Sequence, residues 1–246
     1  MYLSRAFFNL ENSQVIHDLG DIYEMHRTIS RLFPNSTNSF RKRFQILYRI
    51  DTNKDENAPF LLIQSKIIPN WSQLLEVHPD YFKETPESKE IKKKTFLNNI
   101  QEKQEFIFKL KANPVKRPPP NKYGKGFHHG KTNRIPIQND DQLIKWINRK
   151  GNDAGFKIRQ IHSSKKNEII YNMRFSKEPK STIKTPYRYQ KVVGRKKQHK
   201  LIFHSVTFIG HLEVINKEKF IESLINGIGP GKAFGFGMLS IYPLRK

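Results

Sequence analysis

The sequence predicts an α+β fold made of two ferredoxin-like domains in tandem. The order strand, helix, strand, strand is legible from residue 2 and closes near 115 as β-α-β-β-α-β, and a comparable order returns from residue 134. At 246 residues and 36% hydrophobic content, the chain can bury two cores, in domains of about 100 to 120 residues each. The expected division is 1–117, 118–133 as a linker or large loop, and 134–246.

In the first domain "YLSRAFFNL" (2–10) reads as a strand. "VIHDLGDIYEMHRTISRLF" (15–33) carries Val15, Leu19, Ile22, Met25, Ile29 and Phe33 at helical spacing. "RFQILYRID" (43–51) and "PFLLIQSK" (59–66) are strands joined by a polar loop. A helical stretch is expected within 71–99, broken by Pro79 and Pro86, and "EFIFKLKANPV" (105–115) alternates as the closing strand. In the second domain "RIPIQ" (134–138) is a strand entry, and Asn139 is placed to cap a helix over 140–152. "GFKIRQIHSS" (155–164), "EIIYNMRF" (168–175) and "HKLIFHSVTFIGHLEVI" (199–215) read as strands, followed by a helix over 217–225 and a strand over 238–243.

Charge restricts the partner. The chain holds 45 Lys+Arg against 22 Asp+Glu, a formal net charge of +23, so a polyanion is expected. No apolar run reaches the length of a membrane span, and "MYLSRAFFNL" has no signal-peptide core, so no membrane partner is expected. Cysteine is absent, which excludes disulfides and thiolate metal sites and suits a cytoplasmic protein. No acidic residue occurs from Phe106 to Asn139, where Pro118 to Pro120, Gly124, Gly126 and Gly130 mark the linker. A second acid-free stretch, Pro179 to Leu212, contains "YRYQKVVGRKKQHK". Its Arg188, Lys191, Arg195, Lys196 and Lys197 around Gly194 suggest a basic β-hairpin able to reach a nucleic-acid groove.

"NGIGPGKAFGFGML" (226–239) concentrates Gly227, Gly229, Gly231, Gly235 and Gly237 around Lys232. A Walker loop would need glycine where Asn226 stands and a hydroxyl where Ala233 stands, and a dinucleotide fingerprint would follow a strand and open a helix. Here a helix precedes and a strand follows. The loop is an αβ connection whose glycines leave backbone open to phosphates.

Nine histidines include no metal-binding pair on a helix, and His128 and His129 lie adjacent in a glycine-rich stretch. Cleavage of RNA needs neither metal nor cofactor, because the 2′-hydroxyl is a built-in nucleophile. A site need only deprotonate it, align it and protonate the departing 5′-oxygen. His26 borders the apolar stripe of the first helix, with Tyr23 and Ser30 one turn away on either side. If that helix faces the glycine loop, a cleft forms with imidazole on one wall and backbone N–H groups on the other.

"MYLSRAFF", "YEMHRTISRLFP" (23–34), "FKLKANPVK" (108–116) and "GIGPGKAFGFGMLSIYPL" (227–244) occur in order, and together they resemble the CRISPR repeat-RNA endoribonucleases of type I-E systems, the CasE subunits of Cascade in the RAMP superfamily. The resemblance implies binding of the repeat stem-loop in precursor and mature guide RNA, one metal-independent cut at its 3′ base, retention of the product and association with the other Cascade subunits. It matches His26 to the family's helix-borne histidine, as general acid or base, and Tyr23 to its partner, although a tyrosine of ordinary pKa is a poor base at neutral pH. Arg27 and Arg31 would neighbour the phosphate and stabilise charge in the transition state. The basic hairpin would grip phosphates of the A-form stem, with steep salt dependence. Two other readings stay open: a non-catalytic RNA-binding RAMP subunit, and a basic structural protein of ribosomal type.

Overall fold

The computed structural model describes residues 1–34, 40–53, 58–91, 96–117, 134–163, 168–177, 187–192, 195–200 and 203–244. The expected linker, 118–133, and Gly194 lie outside them. Two antiparallel sheets, each with the strand order of a ferredoxin-like unit, pack into one molecule.

The first sheet has the order β2-β3-β1-β4, from β1 (Tyr2–Phe7), β2 (Leu47–Asn53), β3 (Ala58–Ser65) and β4 (Glu87–Glu90). The helix expected over 15–33 is two helices, α1 (Ser13–Gly20) and α2 (Ile22–Arg31). Between them Asp21 is extended (φ −136°, ψ 111°), and its carboxylate accepts a hydrogen bond from the Tyr23 amide at 2.8 Å. Glycine disfavours helix interiors and aspartate favours N-caps, so Gly20-Asp21 ends one helix and starts the next. Buried Asp18 fixes the angle between them by accepting from the Thr28 hydroxyl at 2.6 Å and the Tyr81 hydroxyl at 2.7 Å. Burial, then the charge of Asp18, pushes the Tyr81 phenol up, so it stays a donor. Met25, Ile29, Leu32 and Phe33 are buried under this arrangement, each stabilising by about 1.5–3 kcal/mol.

Two short helices, α3 (Phe40–Arg43) and α4 (Ser72–Leu75), complete the helices described in this part of the chain. Of the helix expected within 71–99, the described residues show the single turn of α4 and a helical Phe96, with β4 between them; residues 92–95 lie outside the described ones.

The strand expected to close the first domain belongs elsewhere. β5 (Glu105–Ala112) pairs with β14 (Val206–Val214) on one side and β15 (Leu239–Pro243) on the other, at the centre of the second sheet. Its Phe106, Phe108, Leu110 and Ala112 are all buried. Alternation in sequence identified the inward face but held no information on which sheet the face belongs to. The first sheet takes β4 as its fourth strand instead. Pairing therefore sets the start of the second unit before residue 117, and segment 118–133 falls between two of its elements.

The rest of the second unit comprises β6 (Val115–Lys116), β7 (Ile135–Pro136), α5 (Asp140–Asp153), β8 (Phe156–Ile158), β9 (Gln160–Ser163), β10 (Glu168–Tyr171), β11 (Met173–Lys177), β12 (Tyr187–Val192), β13 (Arg195–Lys200) and α6 (Lys217–Asn226). Its sheet order is β11-β14-β5-β15, with β8 also on β14. Asn139 caps α5 by accepting from the Gln142 amide at 3.1 Å, as its position in the sequence indicated. The long strand expected over 199–215 starts only at Val206, because 195–200 turns back to pair with 187–192 as a hairpin.

The two units meet through buried charge. Arg49 on β2 has a fully buried side chain; it donates to Asp51 at 2.8–2.9 Å, to the Met238 carbonyl at 3.1 Å and to the Ser240 hydroxyl at 3.0 Å. Lys109 of β5 approaches Asp51 Oδ1, which Arg49 Nε also contacts, at 2.8 Å. Burial alone would raise the Asp51 carboxyl, but hydrogen bonds and charge from Arg49, and then from Lys109, hold it below the usual carboxylate range. Gln64 adds a hydrogen bond to the Leu224 carbonyl at 2.8 Å.

Removing one member of such a network strands the others without water, so Arg49→Ala is expected to cost about 3–5 kcal/mol in urea unfolding at neutral pH. The depressed Asp51 pKa contributes stability above about pH 4, its unfolded value, and that contribution is lost as pH falls through the folded value. Asp51→Asn is accordingly expected to be less stable than the parent at pH 7 and to lose less stability on acidification, measured by urea midpoints across pH.

Candidate active site

Helix α2 turns one face to the core, and the opposite face carries Tyr23, His26, Arg27 and Ser30 at i, i+3, i+4 and i+7. These residues, with Arg31, line a cleft of about 760 Å³ closed on its far side by Ala233 and Phe234. The two far-side residues belong to a 3₁₀ turn, Lys232–Phe234, inside the glycine-rich loop. The expected facing of helix and loop is therefore present.

Tyr23 and His26 are both half-buried, with ring centroids 6.4 Å apart, and the His26 ring lies 5.3 Å from Phe234. Both rings flank the same cleft side by side, so each can address a different oxygen of one phosphodiester. The Ser30 hydroxyl donates to the His26 carbonyl at 2.6 Å, locking the turn of helix that carries the imidazole. Arg27 is exposed and paired with Glu24 at 2.8 Å. Arg31 is exposed at the helix end.

The glycine loop supplies shape more than donors. Gly227, Gly229, Gly231, Gly235 and Gly237 all have φ between 74° and 87°, which side chains rarely adopt. Gly235 and Gly237 are buried, and a Cβ on Gly237 would stand 2.5 Å from the Ile228 carbonyl oxygen. The Phe234 amide, which the sequence reading would offer to a phosphate, donates to the Gly231 carbonyl at 2.8 Å. The Tyr48 hydroxyl of β2 donates to the Ala233 carbonyl at 3.2 Å and pins the loop to the first unit; burial raises its pKa, so the donor persists.

The expected residues are thus divided. Tyr23, His26, Arg27 and Arg31 share the cleft. Gly227 packs towards Leu47, Gly229 against Trp146 and Gly231 towards Phe236, while Lys232 lines a neighbouring recess with Arg41 and Lys42. Arg188, Lys191, Arg195, Lys196 and Lys197 lie on β12 and β13, in a register that sets Lys191 opposite Lys196 and Gln190 opposite Lys197. Ala233 and Phe234 are lining residues that sequence reasoning did not single out. An aromatic residue held between glycines at 231 and 235 was the available signal. Among the described residues, no group of His, Asp and Glu is arranged to hold a metal ion.

The family profile described as CRISPR associated protein matches residues 1–243. The chain is 27% identical over 243 residues to the CRISPR-associated endoribonuclease Cse3 of Thermus thermophilus, covering 99% of this chain and 100% of that protein. It is 26% identical over 247 residues to the CRISPR system Cascade subunit CasE of Escherichia coli, again covering 99% and 100%. A solved structure of CRISPR endoribonuclease Cse3 bound to a 19-nucleotide RNA superposes with a TM-score of 0.69 at 24% identity, over 99% of this chain and 100% of that one. The shared fold is the tandem ferredoxin-like one.

A Cβ on Gly235, at φ 81°, would meet the Tyr48 ring at 3.1 Å. Gly235→Ala is expected to destabilise by about 1–3 kcal/mol through backbone strain, read as a lower urea midpoint.

Proposed function

The chain belongs to the CRISPR associated protein family, and on that premise we propose that it is a metal-independent endoribonuclease that binds the stem-loop of CRISPR precursor repeats and cuts at its 3′ base. The carrying observation is the cleft in which Tyr23, His26, Arg27 and Arg31 of α2 face Phe234 of the second unit. Such a site supplies what transfer at phosphorus requires: an imidazole to move a proton, a phenol hydroxyl, and guanidinium cations to offset phosphoryl charge.

In this reading the RNA 2′-oxygen attacks the adjacent phosphorus while its proton passes to a base, and the bond to the 5′-oxygen breaks as that oxygen takes up a proton. The products are a 2′,3′-cyclic phosphate and a 5′-hydroxyl. His26 moves one of the two protons. Tyr23, beside it, positions the 2′-hydroxyl or the scissile phosphate. Arg31, with Arg27, stabilises the negative charge that grows on the phosphoryl oxygens. The β12–β13 hairpin carries the basic residues that hold the stem, chiefly by its phosphates. The mature guide RNA stays bound, and the protein works in the cytoplasm. It acts there as a subunit of a Cascade complex; Cascade subunit is what the Escherichia coli relative's name calls that protein.

Cleavage of a repeat RNA by purified protein in EDTA is the direct test. The parent is expected to cut the all-ribose RNA and to leave uncut the same RNA with one 2′-deoxy nucleotide at the cut site. His26→Ala is expected to lower the single-turnover rate about 10²–10⁴-fold, the range for a lost acid–base group, with stem-loop binding retained. Cleavage of the deoxy substrate, or a requirement for added metal, would overturn the mechanism; binding without cleavage by the parent would leave the non-catalytic subunit as the reading.

A further inference from the structure

We propose that a second cleft, on the α5 side of the glycine-rich loop, holds the phosphates of the single-stranded RNA that flanks the stem; this rests on reading the chain as a stem-loop ribonuclease. The cleft encloses about 700 Å³, and five cations line it: Lys116 and Arg117 after β5, Arg134 before β7, and Arg149 and Lys150 on α5. Among the described residues, no acidic one lines it. Two nearby acids are engaged, since Asp140 pairs with Lys177, and Asp153 lies 3.4 Å from Lys150. Three separate stretches of chain bring like charges together here, an arrangement that opposes folding unless an anion offsets it.

The charge continues around the loop. Arg41, Lys42 and Lys232 line the adjoining recess. The Lys232 ammonium is held below its usual pKa by burial, and then by the charges of Arg41 and of Lys150 from the second cleft. One electropositive field thus spans both openings.

Size and lining suit one strand of RNA. The cleft falls in the size range of small-ligand pockets, which suits a short run of sugar-phosphate backbone. Its floor includes Trp146, which is 3% exposed and stacked on Phe208 at 6.0 Å. The indole is committed to the core, so contact is with phosphates and not by base stacking. The opposite wall is Gly229 and Pro230, and a Cβ on Gly229 would come within 3.3 Å of the indole. Gly229 and Ala233, which lines the first cleft, are four residues apart, so at most about 14 Å of chain separates the two. A strand leaving the cut site can cross the loop directly into the second cleft.

The test uses the full chain carrying His26→Ala, with and without Arg134→Gln/Arg149→Gln. Three RNAs are compared: the bare stem-loop, and the stem-loop extended by single-stranded RNA on its 5′ or its 3′ side. Extension on one side is expected to tighten binding to the His26→Ala protein, and the added double substitution to remove that gain while bare stem-loop affinity holds. Two lost phosphate contacts should make the slope of log K against log salt shallower by roughly 1.4, or about 0.7 per contact on a single strand. The deficit should therefore widen about sevenfold between about 200 and about 50 mM salt. Equal loss on the bare stem-loop would mean that the cleft holds the stem. No loss on any RNA would mean that it faces another ligand, such as an acidic protein surface. Either outcome overturns the proposal, whereas failure of the stem-loop reading itself would appear separately, as absent cleavage of the all-ribose repeat by the parent protein.

Discussion

The Arg49 guanidinium is fully buried and bonded to both units: to Asp51 on its own strand, and to the Met238 carbonyl and Ser240 hydroxyl of the second unit. Lys109 returns the contact from β5 to Asp51. A buried ion pair is a weak source of net stability, but its directional demands are strict. The observed seating of β2 against β5 and β15 satisfies these donors and acceptors together. That seating helps bring α2 to the 3₁₀ turn of the glycine loop, because the loop leads into β15 and is also held to β2 by the Tyr48 hydroxyl on the Ala233 carbonyl.

The cleft is therefore a product of registration between two units, and its parts are rigid for separate reasons. Asp21 and Asp18 set the direction of α2, the Ser30 hydroxyl braces the turn bearing His26, and Tyr48 holds the Ala233 carbonyl. The glycines permit the loop to fold back tightly enough for Phe234 to stand 5.3 Å from His26. Their role is geometric: the buried ones let neighbouring backbone approach, where any Cβ would collide.

Electrostatics add a second layer. A formal charge of +23 is not spread evenly, since acids near the core are paired while the openings around the glycine loop are lined by Arg and Lys. Such an arrangement steers a polyanion towards the loop from several directions and makes binding sensitive to salt.

The sequence by itself determined the fold class, the Asn139 cap, the inward faces of the strands, the basic hairpin and the helical stretch that carries Tyr23 and His26. These are local properties, written in residue spacing and in the backbone preference of Asn139. It misplaced β5, because Phe106, Phe108, Leu110 and Ala112 mark a buried face without naming the sheet that buries it. It read α1 and α2 as one helix, because an apolar stripe continues across a break that a single aspartate imposes. The lining role of Ala233 and Phe234 was not read either: an aromatic between glycines marked the place but not the cleft it faces. It exists only because β2 and β15, 190 residues apart at Arg49 and Leu239, meet through buried charge. Pairing across that distance is decided by the summed packing and polar satisfaction of the whole molecule, which only the tertiary structure contains.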